Sequence, residues 1–148
     1  MIPAHQTHTR SITLKQGPDA VFALLTDLSK MPAWSRNLEK VEMLPPIDGH
    51  ETSHQTFKGN MAMTVVTHES VPPRRLVRSV VDDKKIFEGS WEYDITPTAD
   101  GCQIVLTETS EMQNALFRLM AKIFGPTKYM DEHLEDIAKV FGEKVTVQ

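Results

Sequence analysis

Three side chains stand out for proton chemistry: Glu108, Tyr93 and His133. Strand-like alternation puts Glu108 on one face with Ile104 and Leu106. A carboxylate on an apolar face is desolvated, its pKa rises, and it becomes an acid or base near neutral pH. The alternative is a strand-end Glu that reaches solvent or pairs with an arginine, Arg78 being one such partner on a nearby strand. Tyr93 shares a face with Trp91. In a pocket the phenol can orient a ligand or donate a proton while the indole supplies apolar wall; otherwise both simply pack against a helix. His133 flanks a helical stripe beside Met130 and Ile137. There it reads as a cavity-edge acid or base, or as a half-exposed helix histidine.

Eight methionines accompany ten aromatic residues. Met61 and Met63 share a strand face, and Met120 and Met130 share a helix stripe. Methionine is unbranched and polarisable, so it fills core gaps or lines surfaces that accept varied apolar ligands. Trp34, on a short helix, reads as a gate or a plug.

Other chemistries lack their signatures. His5, His8, His50, His54, His68 and His133 form no ligand pattern. His50 and His54 share a face, but i,i+4 on a strand spans about 13 Å. No metal site is expected. One cysteine, Cys102, excludes an internal disulfide, and no His or Asp stands at a nucleophile spacing from it. Neither G-x-G-x-x-G nor a Walker A motif is present, so no nucleotide cofactor is expected. Sixteen Lys and Arg against twenty Asp and Glu give a net charge of −4, which argues against nucleic acid as partner. No apolar run approaches the roughly 20 residues of a membrane helix. Met1 to Arg10 is polar and His-rich, unlike a signal peptide, so a cytoplasmic location is expected.

These residues need elements to position them. At 148 residues the chain suits one domain over 1–148, able to bury roughly 68–70% of its unfolded surface. Gln6 to Lys15 alternates as a strand. Gly17-Pro18-Asp19 opens a helix with Val21, Leu24, Leu25 and Leu28 at helical spacing, to about Thr26. A second short helix holds Met31, Pro32 and Trp34, with Asp27 or Ser29 as cap. From Leu38 to Met112 the period is two. Breaks fall at Pro45-Pro46, Lys58-Gly59-Asn60, Pro72-Pro73, Asp82 to Lys85, and Pro97 to Gly101. Asn114 then opens a long helix with the stripe Leu116, Met120, Ile123, Met130, Leu134, Ile137 and Phe141. Gly125-Pro126 within that stripe predicts a kink. Lys122, Lys128, Asp131, Glu135 and Lys139 occupy its polar face. The expected class is α+β: a curved antiparallel sheet of about seven strands, two short helices after strand 1, and one long kinked C-terminal helix. The space between sheet and helix becomes the natural pocket.

This order resembles the START-like (SRPBCC) superfamily with its helix-grip fold, in particular its polyketide cyclase/dehydrase-like group. The resemblance rests on Val21 to Asp27 followed by Met31-Pro32-Ala33-Trp34, on Phe87 to Tyr93 through Pro97, and on Leu106-Thr107-Glu108 with Glu111 to Arg118. It covers roughly residues 6 to 142. Ala115 stands where relatives often carry proline, which changes only how the last helix begins. The resemblance implies an apolar cavity for a small hydrophobic molecule and leaves the chemistry open. The expected reading is a binder or carrier of a small hydrophobic or amphipathic ligand. Its site would be walled by Trp34, Met61, Met63, Trp91, Tyr93, Leu106, Glu108, Met120 and Met130. The competing reading is a polyketide aromatase/cyclase or dehydratase-like enzyme, with Glu108, Tyr93 or His133 moving protons. A partner-protein module in the same groove is a third. The weak net charge allows a monomer or a homodimer.

Overall fold

The computed structural model describes residues 5–81, 87–112, 125 and 127–148. Strand β1 (His5–Leu14) is followed by helix α1 (Pro18–Thr26) and a 3-10 helix (Leu28–Ala33). Strands β2 (Leu38–Ile47), β3 (His50–Phe57), β4 (Met61–Val71), β5 (Arg75–Val81), β6 (Phe87–Pro97) and β7 (Cys102–Met112) come next. Helix α2 is described over Lys128–Val140. The expected kink at Gly125-Pro126, the expected helix start at Asn114 and the turn from Asp82 to Lys85 fall at least partly outside the described residues.

The strands form one antiparallel sheet in the order β1-β7-β6-β5-β4-β3-β2. Strands β2 to β7 are a meander, and β1 pairs with β7 along its whole length. Short hairpins set the register. Gly59 and Asn60 take positive φ at the β3–β4 turn, which those residue types tolerate. This curved α+β sheet with its short helices and C-terminal helix is the helix-grip arrangement read from the sequence.

Two local expectations are corrected. Pro45-Pro46 does not end β2, which continues to Ile47. β2 is a sheet edge, where a missing N–H interrupts no ladder, and the register shifts between Leu44 and Ile47. Asp131, expected on the solvated helix face, is only partly exposed and accepts from Arg10 Nε at 2.7 Å.

Register decides which side chains share the inner face. Leu76 pairs with Tyr93, Arg78 with Trp91 and Ser79 with Ser90. Trp91 pairs with Glu108, Tyr93 with Leu106 and Ile95 with Ile104. His8, Arg10 and Ile12 continue the same rows on β1. Alternate residues point to one side, so Leu76, Arg78, Trp91, Tyr93, Leu106 and Glu108 lie on one face. The core packs on it: Ile12, Leu14, Val21, Phe22, Leu25, Leu76, Ile95, Ile104, Leu106, Met130, Leu134 and Ile137 are buried together.

The helices present the matching stripes. Pro18 begins α1, where its missing N–H is harmless, and Val21, Phe22 and Leu25 face inward. In α2 Met130, Leu134 and Ile137 recur at steps of four and three. Gly142 at φ +70° ends that helix in the left-handed region, and Glu143 N–H donates to the Ala138 carbonyl at 2.9 Å. The chain then returns along β1, with reciprocal bonds between Ser11 and Gln148 of 2.8 and 3.0 Å. That tail covers a strand edge which would otherwise be unpaired.

Candidate functional site

The inner face is largely apolar but carries several polar side chains, among them Arg78, Tyr93 and Glu108. Tyr93 projects from the middle of β6 and is 6% exposed. Its hydroxyl lies 2.8 Å from His133 Nε2 on α2. Trp34, at the end of the 3-10 helix, stacks on the same imidazole, with ring centroids 5.5 Å apart and planes at 26°. A strand, a short helix and the C-terminal helix thus meet at one histidine. The packing is helical: His133 is the residue before Leu134 and lies three after Met130, so it flanks the buried stripe and faces the sheet.

Burial sets the protonation of this pair. Loss of hydration holds the His133 imidazole down at about 4, against a pull upward from Asp136 and a further push down from Arg78. Burial likewise pushes the Tyr93 phenol up to about 12, with Arg78 opposing and Glu108 adding to the rise. Near neutral pH both groups are uncharged. One proton is shared between a phenol oxygen and a ring nitrogen, and the histidine tautomer decides which group donates.

Glu108 forms a second, neighbouring pair. Trp91 Nε1 donates to Glu108 Oε2 at 2.9 Å, directly across the β6–β7 ladder. Burial raises the Glu108 carboxyl above the ordinary range, opposed by that indole bond and by His8, its cross-strand partner on β1. Arg78 is not its partner. That guanidinium, 4% exposed, donates from NH1 to the Leu25 carbonyl at 2.9 Å and from Nε to Thr67 Oγ1 at 3.2 Å. Among the described residues the carboxylate paired with it is Glu51, 3.9 Å from NH2.

The remaining candidates are spread more widely. Leu106 is buried beneath Tyr93, and Met130 is buried in the same core. Met63 is half-buried on β4, and Met61 at the start of that strand is 61% exposed. Neither belongs to the core cluster that holds Met130. Met120 lies outside the described residues. Cys102 is buried, with its thiol pushed up by burial. Among the described residues no group of three or more His, Cys, Asp or Glu is placed to hold a metal ion. His50 meets His68 across the β3–β4 ladder, ring centroids 5.4 Å apart, and not His54.

Two features escaped the sequence reading. The first is the burial of Arg78, although a charge in phase with Leu76 and Val80 on β5 was a visible signal. The second is the clamp that holds Trp34 in place. Arg36 donates to buried Asp136 through its backbone N–H and through Nε, both at 2.8 Å, and through NH1 to Glu132 at 3.3 Å. Asn37 adds a bond to Glu132 at 3.2 Å. These contacts tie the segment after Trp34 to the turn of α2 that carries His133. Trp34 also lines a surface cleft of about 280 Å³, together with Ala20, Ala23, Leu24, Asp27, Lys30 and Phe141.

A curved sheet gripping a C-terminal helix, with polar groups buried on the gripped face, defines a helix-grip domain of the START-like (SRPBCC) type. The chain belongs to the family described as polyketide cyclase / dehydrase and lipid transport, whose model matches residues 5–142. Solved structures agree on the fold. The di-domain aromatase/cyclase StfQ from the steffimycin biosynthetic pathway superposes with a TM-score of 0.73 at 12% identity, over 90% of this chain. This chain spans 49% of that protein's length. The Zhui aromatase/cyclase from Streptomyces sp. R1128 gives 0.69 at 17% identity, covering 90% of each chain. Norcoclaurine synthase from Thalictrum flavum gives 0.70 at 12% identity, over 92% of this chain and 93% of that one. Comparison with curated proteins finds no match. Among the described residues no helix is long and apolar enough to cross a membrane.

Proposed function

We propose that the protein binds and carries a small amphipathic molecule between the inner sheet face and the C-terminal helix, with the molecule's polar end against Tyr93 and His133. The carrying observation is the 2.8 Å bond between those two groups, set beside the buried apolar cluster of Leu76, Leu106 and Met130. A neutral donor–acceptor pair, its tyrosine buried and its histidine half-buried, orients a hydroxyl or carbonyl without demanding charge on the ligand. Trp34, Trp91 and Leu106 supply apolar wall beside it, and Met63, Met130 and Met120 are proposed to extend that wall. We take the setting to be cytoplasmic.

The same pair supports a second reading, a cyclase or dehydratase-like enzyme in which Tyr93, His133 or Glu108 moves a proton. Its weakness is energetic. A proton-transfer group works best with a pKa near the operating pH, whereas His133 rests at about 4 and Tyr93 at about 12, and only the Glu108 carboxyl, raised by burial but outside this pair, is moved toward it. Binding therefore leads. Native mass spectrometry of the purified full chain tests it. The binder reading expects an adduct of a small amphipathic molecule that is lost on denaturation and weakened in Tyr93→Phe. Absence of any adduct, together with failure to bind the neutral probe N-phenyl-1-naphthylamine, refutes it. Turnover of a poly-β-ketone chain that His133→Gln abolishes would instead establish the enzyme reading.

A further inference from the structure

We infer that the ligand of this site carries a carboxylate, received by the unpartnered NH2 group of the Arg78 guanidinium. The inference rests on the binding reading above and adds the chemical class of the ligand's polar end. Arg78 is 4% exposed, and its NH2 group has no hydrogen-bond partner among the described residues. A guanidinium carries five N–H donors. One at Nε is given to Thr67 and one at NH1 to Leu25, which leaves three, two of them on NH2. Both NH2 hydrogens are therefore unused, and a carboxylate oxygen is the acceptor that would also neutralise the guanidinium.

The charge balance points the same way. A buried cation is costly unless an anion neutralises it. Among the described residues the carboxylate in reach is that of Glu51, which is exposed, 3.9 Å away, and already accepting from Thr67 at 2.9 Å. It does not complete the NH2 group. Register then puts Arg78 beside the polar pair: Arg78 lies opposite Trp91, and Tyr93 is two residues further along β6, opposite Leu76. A ligand whose apolar body lies along Trp91 and Leu106 can place a carboxylate on Arg78 and still touch the Tyr93 hydroxyl. The single positive charge, with Glu51 nearby, suits a monoanion better than a doubly charged phosphate.

The test uses the full chain loaded with N-phenyl-1-naphthylamine, displaced in parallel by dodecanoic acid and by 1-dodecanol at about pH 8, where the acid is ionised. The two competitors share an apolar chain and differ in the charge of the head. The acid is expected to displace the probe at about tenfold lower concentration, the worth of one charge-assisted hydrogen bond. Glu51→Gln removes the competing negative charge and is expected to widen the acid-to-alcohol ratio by about threefold or more. Arg78→Met is expected to bring the ratio to about one. Should that variant fail to fold, Glu51→Gln decides alone. Equal displacement by acid and alcohol in the native chain overturns the carboxylate inference and leaves the binding reading intact. A preference for the acid that Glu51→Gln leaves unchanged also overturns it, because the charge would then be read elsewhere. No binding of the probe or of either competitor overturns both.

Discussion

Replacing His133 with phenylalanine should flatten the acid limb of the protein's stability profile. In the unfolded chain the imidazole takes up its proton at its ordinary value of 6.5, whereas in the fold it does so only at about 4. Between those values the unfolded state holds more protons, so acid favours unfolding. The stabilisation is complete above pH 6.5 and is withdrawn as pH falls through that window. Integrating between about pH 7.5 and about pH 5 gives a loss of about 2 kcal/mol from this one group. The phenylalanine variant loses a fixed amount instead. The Tyr93 hydroxyl is left buried without its partner, which costs about 1–3 kcal/mol independent of pH. Urea unfolding of both proteins at the two pH values isolates the histidine, because carboxylates common to both cancel in the difference. The variant should be the less stable near pH 7.5, and the gap should shrink by about 2 kcal/mol near pH 5. A Tyr93→Phe/His133→Phe double variant should recover much of the fixed loss, since removing both partners leaves nothing unpaired. Parallel stability curves for native protein and variant would refute the reasoning.

Three further outcomes follow from the same geometry. Gly101→Ala should destabilise by about 1–3 kcal/mol in thermal or urea unfolding: a Cβ there would stand 2.1 Å from the Leu14 carbonyl oxygen, which belongs to paired backbone and cannot give way. Arg36→Ala should cost about 1–2 kcal/mol in urea unfolding, because buried Asp136 keeps only one of its two bonds from residue 36 and the clamp on the Trp34 segment opens. Trp91→Phe removes a hydrogen bond that stabilises ionised Glu108, so carbon-detected NMR should find the Glu108 carboxyl titrating higher than in the native protein.

Much of the fold was legible because burial on a sheet face leaves a period of two. Trp91, Tyr93 and Ile95, and Ile104, Leu106 and Glu108, were read on shared faces, and the register places them on one inner surface. The helix stripe through Met130, Leu134 and Ile137 was equally plain. The site was less legible, since its contacts join residues far apart in the chain. Tyr93 and His133 are separated by 40 positions and Arg36 and Asp136 by 100, and no periodicity encodes such pairings. Arg78 shows a second reason. A charge on an apolar strand face marks a buried group, but its partners, the Leu25 carbonyl and Thr67, are a backbone atom and a common hydroxyl with no signature of their own. Pro45-Pro46 shows a third. Proline breaks an interior strand, yet an edge strand tolerates it, and edge position is a property of the finished sheet.

The central claim is that a ligand's polar end meets the Tyr93–His133 pair inside the grip. Nitrogen NMR of the histidine rings tests it most directly, during titration of the full chain with N-phenyl-1-naphthylamine and then with a competing amphipath. The account predicts a neutral His133 ring in the free protein down to about pH 5, and ring-nitrogen shifts that move and saturate with ligand while those of His50 and His68 stay fixed. A charged His133 ring near neutral pH, or ligand binding that leaves its nitrogens unmoved, would contradict the account.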